Sequence, residues 1–359
     1  MKKIIHIVGA RPNFMKAAPL IAALDGRQGV KQLLIHTGQH YDKNMSEIFF
    51  DQLGIPKPDF NLEVGSGSHA TQTAEIMVKF EEVAIAEKPD LLVVYGDVNS
   101  TIGTAIVAAK LGIPIAHMEA GLRSFDHGMP EEINRILTDR ITDVYLTPSA
   151  DGDANLIKEG VDPAKIHLVG NIMIDTLVRL LPEAEAPEGG TSDKPYALVT
   201  LHRPSNVDRP EMLKEIIESL NRISERIRIL FPIHPRTRSR MEAMGLAPAN
   251  PSRFQLMDPV GYLQFIWLQK HAKVILTDSG GIQEESTYLQ VPCLTLRPNT
   301  ERPVTCDIGT NILIGEDMLR FEKETHAILD GAAKLGEIPP LWDGKTGERT
   351  ADVLVNFLS

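Results

Sequence analysis

The chain has 359 residues, of which 43% are hydrophobic and 24% charged, and its formal net charge is −11. Its length exceeds what one hydrophobic core usually holds, so we expect two domains. An acidic surface with only 5% aromatic residues excludes a nucleic-acid-binding protein, and two cysteines, Cys293 and Cys306, exclude a disulfide framework and favour a cytoplasmic location.

In the first half, short apolar runs alternate with helical stretches. The runs that we expect to be strands are 4–8, 33–36, 91–95, 113–118, 144–147 and 166–169. Arg11 ends the first run far short of a signal peptide or a membrane span, so no membrane insertion is expected. Such alternation is typical of βαβ crossovers and predicts a parallel sheet covered by helices on both faces.

A stretch rich in Pro, Glu and Gly at 182–195 has the composition of a linker. The alternation then restarts, with strands expected at 196–201, 227–231, 254–257, 274–277 and 293–296. We predict a first domain over 1–172, a second over 173–346, and a C-terminal helix at about 347–359 that could pack back on the first. The predicted fold class is α/β, with two doubly wound, Rossmann-like domains facing a cleft and the chemistry at the carboxyl ends of their strands.

The segment 276–285 predicts a phosphate-binding turn. An apolar strand runs into Ser279, Gly280 and Gly281 and then into a helix. Adjacent glycines let backbone N–H groups approach an anion closely, and the start of the helix adds the positive end of its dipole. Glu285 lies one turn inside the helix, where a carboxylate can accept hydrogen bonds from ribose hydroxyls. A tight turn without a ligand is the alternative interpretation.

Cationic residues follow several strands. Arg11 and Lys16 lie near a helix N-terminus, where cations are electrostatically unfavourable, so they suggest an anionic ligand. His202 and His234 each follow a strand of the second half, and a polar residue without a catalytic role is an equal alternative. Arg302 adds a cation near the same rim. Since no His or carboxylate spacing indicates a metal site, basic side chains are expected to neutralise the phosphates.

Carboxylates follow the strands of the first half. Asp97 could act as an acid or base, or could cap the next helix. Glu119 ends an apolar strand and is expected at the cleft, with an ion pair to Arg123 or Arg135 as the alternative. The two glutamates at 131–132 both suit a helix N-terminus, so one of them is expected to be only structural.

Seven motifs follow one another along the chain. They occupy residues 9–12, 37–40, 96–97, 117–123, 130–135, 278–285 and 300–303. In this order they resemble the non-hydrolysing UDP-N-acetylglucosamine 2-epimerases over nearly the whole chain. The resemblance implies the two-domain fold of B-type glycosyltransferases, UDP held mainly by the second domain, no cofactor, and a homodimer.

The resemblance also implies roles for individual residues. The acid/base candidates are Asp97, Glu119 and Glu131, and His202 would meet the diphosphate as it leaves. The expected substrate-binding residues are Arg11, Lys16, Arg135, His234, Phe254, Ser279, Gly280, Gly281, Glu285 and Arg302. Within this set, Phe254 and the segment up to residue 265 would frame the uracil, and Glu285 would hold the ribose.

Several departures leave the substrate open. Gln39 and His40 match part of an activating second site in bacterial members, but the stretch 66–72 lacks the arginine of regulated members. Val304 stands where many relatives have Glu, and 204–205 replaces a more usual Arg-Glu. Epimerases of a UDP-2,3-diacetamido uronic acid share the run at 41–42 and a helix at 46–50. A glycosyltransferase of the same fold is the other alternative.

The expected reaction is an elimination followed by re-addition. The Gly-rich turns lack the G-x-G-x-x-G arrangement of a nicotinamide site, which argues against oxidation and re-reduction. A carboxylate would remove the C2 proton as UDP leaves, and a second acid would return a proton to the other face of the resulting glycal.

Overall fold

The computed structural model describes residues 1–38, 54–187 and 194–359. Gln39, His40, the run at 41–42 and the helix predicted at 46–50 lie outside the described residues, as do the middle of the predicted linker and the side chain of Arg11. The chain forms two compact units, residues 1–176 together with 340–359, and residues 177–339.

The first unit contains a parallel sheet of seven strands in the order β3-β2-β1-β4-β5-β6-β7. Its strands are β1 (Lys2–Val8), β2 (Val30–His36), β3 (Phe60–Asn61), β4 (Leu91–Tyr95), β5 (Ile115–Met118), β6 (Val144–Thr147) and β7 (Ile166–Leu168). The helices between them are α1 (Arg11–Leu24), α2 (His69–Glu87), α3 (Asn99–Leu111), α4 (Pro130–Arg140), α5 (Ala150–Lys158) and α6 (Ile172–Leu180), and a 3₁₀ turn covers Pro163–Lys165.

The second unit contains a parallel sheet of six strands in the order β10-β9-β8-β11-β12-β13. The strands are β8 (Tyr196–Thr200), β9 (Arg228–Pro232), β10 (Phe254–Met257), β11 (Val274–Thr277), β12 (Cys293–Thr295) and β13 (Asn311–Leu313). The helices are α7 (Pro204–Val207), α8 (Pro210–Ser224), α9 (Pro235–Ala243), α10 (Tyr262–His271), α11 (Gly280–Tyr288), α12 (Val304–Asp307) and α13 (Met318–Leu329), and a 3₁₀ turn covers Leu181–Glu183.

Both sheets are buried on their two faces, which explains why their strands are continuous apolar runs. All five residues of β4 are buried, and β11 is buried along its whole length. Helix α8 covers the second sheet with one apolar face, on which Met212, Ile216 and Ile223 recur at helical spacing. The predicted fold class of two doubly wound α/β domains is confirmed.

The C-terminal helix α14 (Thr346–Leu358) packs against α1 in the first unit. Asp175 accepts hydrogen bonds from the backbone of Thr346 at 3.1 Å and Gly347 at 2.7 Å, at the start of this helix. Gly347 lies so close to the Pro19 carbonyl that a Cβ would overlap it. In the part of the chain that is described, no helix combines the length and the hydrophobicity that a membrane crossing needs.

The strand order reverses between β1 and β4 in the first sheet and between β8 and β11 in the second. At such a reversal the loops after the two strands diverge to opposite faces of the sheet and leave a crevice at the carboxyl edge, where ligands of open α/β sheets bind. The fold therefore directs attention to the residues after β1, β4 and β5 in one unit and after β8 and β11 in the other.

Candidate active site

The turn after β1 is held to the end of β4 by one side chain. Asn13 accepts hydrogen bonds from the backbone of Ala10 at 3.0 Å and Gly9 at 3.3 Å, and its amide donates to the Tyr95 carbonyl at 2.9 Å. A Cβ on Gly9 would overlap Ser100, so the turn requires glycine. Sequence reasoning missed Asn13, although its position three residues into α1 is where a side chain can bond back to the turn.

Glu119 follows β5 in a left-handed conformation with φ +70°, which costs a non-glycine residue about 1–2 kcal/mol. Its Oε2 lies 2.5 Å from Lys16 Nζ, and both side chains are at least nine-tenths buried. Its Oε1 is buried without a hydrogen-bond partner among the residues that the structure describes. The ion pair expected with Arg123 or Arg135 is wrong, because Lys16 is the partner.

Gly96 makes the approach of this pair possible. It follows β4 with φ +64°, and a Cβ built on it would lie 2.9 Å from Lys16 Nζ and 3.5 Å from Glu119 Oε2. β4 and β5 pair in parallel, with Tyr95 opposite Met118. The residues after the two strands are therefore neighbours at the carboxyl edge of the sheet.

Asp97 is held by Arg135 and does not cap a helix. Its Oδ2 lies 3.0 Å from Arg135 Nε and 2.7 Å from Arg135 Nη2, and its side chain is 24% exposed. Helix α3 is capped at Val98 without a side-chain hydrogen bond, so the capping alternative for Asp97 is wrong. Arg135, predicted to bind substrate, lies beneath Asp97 as a buried partner.

The two glutamates at the start of α4 differ in their surroundings. Glu132 is fully buried, accepts hydrogen bonds from the backbone of Ser124 and Phe125 at 2.9 Å, and pairs with Arg135. Glu131 is exposed. Glu132 is therefore the structural member of the pair, because its carboxylate organises the loop before the helix, and Glu131 is the one that solvent or a ligand can reach.

In the second unit, buried Asp278 joins the loop after β8 to the turn after β11. Its carboxylate accepts hydrogen bonds from the backbone N–H groups of His202 at 3.1 Å and Arg203 at 3.0 Å, and from Asn206 Nδ2 at 3.1 Å. His202 Nδ1 lies 3.2 Å from the same carboxylate, while its side chain is 56% exposed. One face of the imidazole is thus anchored and the rest is open.

The glycine turn at the start of α11 distinguishes the two interpretations of this segment. A Cβ on Gly280 would lie 2.8 Å from atoms of Glu301 and Arg302, so the fold requires glycine there. A Cβ on Gly281 would meet nothing within 4 Å among the described residues, and its φ is outside the left-handed range. Protein packing does not explain Gly281. The N-cap, Ser279, makes no side-chain hydrogen bond to the helix, so its hydroxyl is not used as a cap.

Glu285 and Arg302 are both engaged within the protein. The carboxylate of Glu285 accepts hydrogen bonds from Tyr262 Oη at 2.8 Å and Gln269 Nε2 at 2.5 Å. Burial raises the pKa of Glu285, and these two hydrogen bonds oppose the rise. Arg302 pairs with Glu284 at 2.7 Å and with Glu301. A ligand that contacts either residue must share it with these partners.

The structure corrects the expectation for Phe254. Its side chain is fully buried in the core of the second unit, and it begins β10, at the amino edge of the sheet, whereas His202 and Ser279 follow the carboxyl ends of their strands. The ring therefore cannot frame a base. His234 follows β9 as predicted, is exposed, and accepts a hydrogen bond from the Arg236 backbone at 3.2 Å as the cap of α9.

Residues 22–355 match the family model described as UDP-N-acetylglucosamine 2-epimerase. The chain belongs to the UDP-N-acetylglucosamine 2-epimerase family. The predicted family is thereby confirmed. A UDP-GlcNAc 2-epimerase from Methanocaldococcus jannaschii, solved in complex with UDP-GlcNAc and UDP, is 43% identical, with a TM-score of 0.90 over 99% of each chain.

Two further relatives bear on fold and substrate. A UDP-2,3-diacetamido-2,3-dideoxy-D-glucuronate 2-epimerase from Pseudomonas aeruginosa is 46% identical over 87% of this chain and 88% of its own. A lipopolysaccharide outer core galactosyltransferase shares the fold alone, with 13% identity and a TM-score of 0.55 over 99% of each chain. The likeness to a glycosyltransferase agrees with the predicted fold class, and the first relative shows that members of similar identity differ in their sugar.

Proposed function

We propose that the protein interconverts UDP-N-acetylglucosamine and UDP-N-acetylmannosamine by eliminating UDP to a 2-acetamidoglucal and adding it back. The observation that carries the proposal is the state of Glu119, a buried carboxylate in a left-handed conformation whose Oε1 has no partner among the described residues. Strain and an unsatisfied buried oxygen persist where the surroundings impose them for a functional reason. In a member of this family, that oxygen supports a contact with the substrate.

The chemistry explains why several carboxylates are needed. The anomeric carbon of a UDP-sugar is esterified, so no carbonyl acidifies the C2 proton. In the elimination, a carboxylate takes the C2 proton, its electron pair forms the C1–C2 double bond, and the C1–O bond breaks with its electrons on UDP. In the return step UDP rebonds to C1 while an acid protonates C2 from the opposite face. Two groups on different sides of the ring are required.

We assign proton transfer to Asp97 and Glu131, and positioning of the sugar to Glu119. Arg135 holds Asp97 from a buried position, which supports a carboxylate that is ionised and fixed in direction. Glu131 is exposed at the start of α4, free of the contacts that engage its neighbour Glu132. Lys16 supports this site through its ion pair with Glu119, rather than as an unattached phosphate ligand.

We assign the diphosphate to the second unit. The hydroxyl of Ser279 and the N–H groups of Gly280 and Gly281 form the start of α11, where the helix dipole favours an anion, and the open space at Gly281 supports a close approach. Exposed His202 would stabilise the charge that develops on departing UDP. The other proposed substrate residues are Arg11, His234, Glu285 and Arg302.

The decisive experiment follows UDP-N-acetylglucosamine by proton NMR in deuterated buffer without an acceptor. We expect UDP-N-acetylmannosamine to form with deuterium at C2. A transferase would leave the substrate unchanged, and a hydrolysing enzyme would release free sugar and UDP. Either outcome would refute the proposal.

Neighbouring carboxylates provide a matched control for the assigned roles. Glu131→Gln should abolish C2 exchange and leave the melting temperature unchanged, because its side chain is exposed. Glu132→Gln should lower the melting temperature, because it weakens the buried bonds to Ser124 and Arg135. Asp97→Asn should abolish exchange while UDP binding stays near normal. Retained exchange in Asp97→Asn would remove Asp97 from proton transfer.

UDP-2,3-diacetamido-2,3-dideoxyglucuronate is the second candidate substrate, because the Pseudomonas relative that carries this name is 46% identical. Turnover of this sugar without turnover of UDP-N-acetylglucosamine would decide for it. We further propose a cytoplasmic homodimer, which size-exclusion chromatography with light scattering would test by giving twice the chain mass of 39.6 kDa.

A further inference from the structure

A buried ionic cluster lies beneath the residues after β4 and β5. His117 of β5 is fully buried, with its Nδ1 2.6 Å from Asp139 Oδ1 and its Nε2 2.8 Å from the Gly96 carbonyl. Burial by itself would raise the pKa of Asp139, but His117 and Arg123 outweigh it and hold the pKa below its usual value. Asp139 is thus ionised, both imidazole nitrogens face acceptors, and both must donate.

The second oxygen of Asp139 engages the neighbouring turn. Asp139 Oδ2 accepts a hydrogen bond from the Gly121 N–H at 3.1 Å and lies 2.7 Å from Arg123 Nη1. Gly121 has φ +79°, and a Cβ on it would overlap the Gly152 carbonyl, so this turn has one available course. A single carboxylate therefore binds the residue before Asp97, through His117, and the turn that follows Glu119.

Asp139 also connects these turns to a third segment. It lies on α4, the helix whose first turn carries Glu131 and whose Arg135 holds Asp97. The three segments that carry the proposed acid/base groups are thus tied to one buried charge, although they are far apart in sequence.

Stability alone does not account for such a cluster. Taking charges out of water costs several kcal/mol per ion, and well-packed apolar residues of similar volume often stabilise a fold as well or better. An apolar residue at 117 would, however, leave the Gly96 carbonyl without its donor and free the backbone before Asp97 to shift. The arrangement that is retained is the one that fixes a backbone position.

We propose that His117 and Asp139 are positioning residues of the epimerase site, which hold Gly96, and through it Asp97, at a set distance from Glu119. The inference rests on the proposed function and adds residues to it. Neither side chain reaches solvent, so both act through the backbone they hold. Misplacing a reacting group by about 1 Å costs about 100-fold in rate, which sets the expected size of the effect.

The test compares two neutral replacements of His117 in the full-length protein. The amide nitrogen of Gln reaches the position of Nε2 and can donate to Gly96, whereas that of Asn reaches only the position of Nδ1 and can donate to Asp139. We expect His117→Asn to lower kcat about 100-fold with KM and UDP affinity near wild type, and His117→Gln to recover most of kcat. Equal kcat values in the two variants at temperatures where both are folded would overturn the proposal.

Asp139→Asn provides a second measurement that does not depend on the stability of the His117 variants. It keeps the side-chain shape but removes the charge that holds His117 and Arg123, so kcat should fall while calorimetric UDP binding is unchanged. A folded Asp139→Asn protein with wild-type kcat would also overturn the proposal. Failure of the wild-type protein to exchange the C2 proton would instead refute the proposed function, so the two failures are distinguishable.

Discussion

Replacing Gly96 with Ala tests whether the site depends on the close approach of Lys16 and Glu119. The substitution has two separable effects. It places a side chain at φ +64°, and it puts a Cβ 2.9 Å from Lys16 Nζ and 3.5 Å from Glu119 Oε2. Gly112 offers a matched control in the same unit, because its φ is +69° and a Cβ there would meet nothing within 4 Å among the described residues.

The magnitudes follow from these two terms. A left-handed conformation costs an alanine about 1–2 kcal/mol, and this applies to both positions. At Gly96 the added methyl group must also displace Lys16, whose ammonium is buried and bound to Glu119, and overpacking of this kind costs about 1–3 kcal/mol more. Gly96→Ala should therefore destabilise the protein by about 2–5 kcal/mol and Gly112→Ala by about 1–2 kcal/mol.

Thermal melting and steady-state kinetics would separate the two effects. In a unit of this size each kcal/mol corresponds to about 2–4 °C in melting temperature. Gly112→Ala should keep wild-type kcat, because it changes only the end of α3. Gly96→Ala should lose at least about 10-fold in kcat, because it moves the Lys16–Glu119 pair. If the two variants lose the same stability and both keep wild-type kcat, the close approach at Gly96 has no catalytic consequence.

Three further outcomes are expected. Burial lowers the pKa of His6 to about 4, against a hydrogen bond that raises it; the unfolded chain therefore binds a proton below pH 6.5 that the folded chain rejects, and the free energy of unfolding should fall by up to about 3 kcal/mol between pH 6.5 and 4. Urea titrations should show a flatter pH dependence in His6→Gln, and an unchanged slope would contradict the assignment. Lys16→Met should cost about 3–5 kcal/mol by leaving Glu119 buried and unpaired, and adding Glu119→Gln should recover part of this loss; no recovery would show that the pair is not the cause. Phe254→Leu should lower the melting temperature and leave the UDP dissociation constant unchanged in calorimetry, because the ring is part of the core, and a weakened affinity would restore its predicted role.

Much of the fold could be predicted from local pattern. Strands buried on both faces are continuous apolar runs, and β10 and β11 begin and end at the predicted residues. The predicted strand at 113–118 begins instead at Ile115, where pairing with β4 starts. Strands β3 and β13 were not predicted, because two or three residues are too few for a periodic pattern to be recognised.

The positions of the site residues followed from the same pattern, but their partners did not. The rule that functional residues follow parallel strands placed Asp97, Glu119, His202 and Ser279 at the carboxyl edges of their sheets, where the structure has them. Whether a carboxylate there is free, paired or structural depends on side chains from distant segments. Asn13 and Asp139 were missed for this reason, since each acts on a turn from a different part of the chain.

The sequence by itself determined the alternation of strands and helices, the edges at which polar residues gather, and the family, because these depend on short-range periodicity and on motifs readable in order. Only the tertiary structure decided that Lys16 is the partner of Glu119, that Glu132 rather than Glu131 is structural, and that the ring of Phe254 belongs to the core. Such contacts depend on which strands become neighbours and on backbone angles such as φ +70° at Glu119, and neither is encoded in the spacing of residues along the chain.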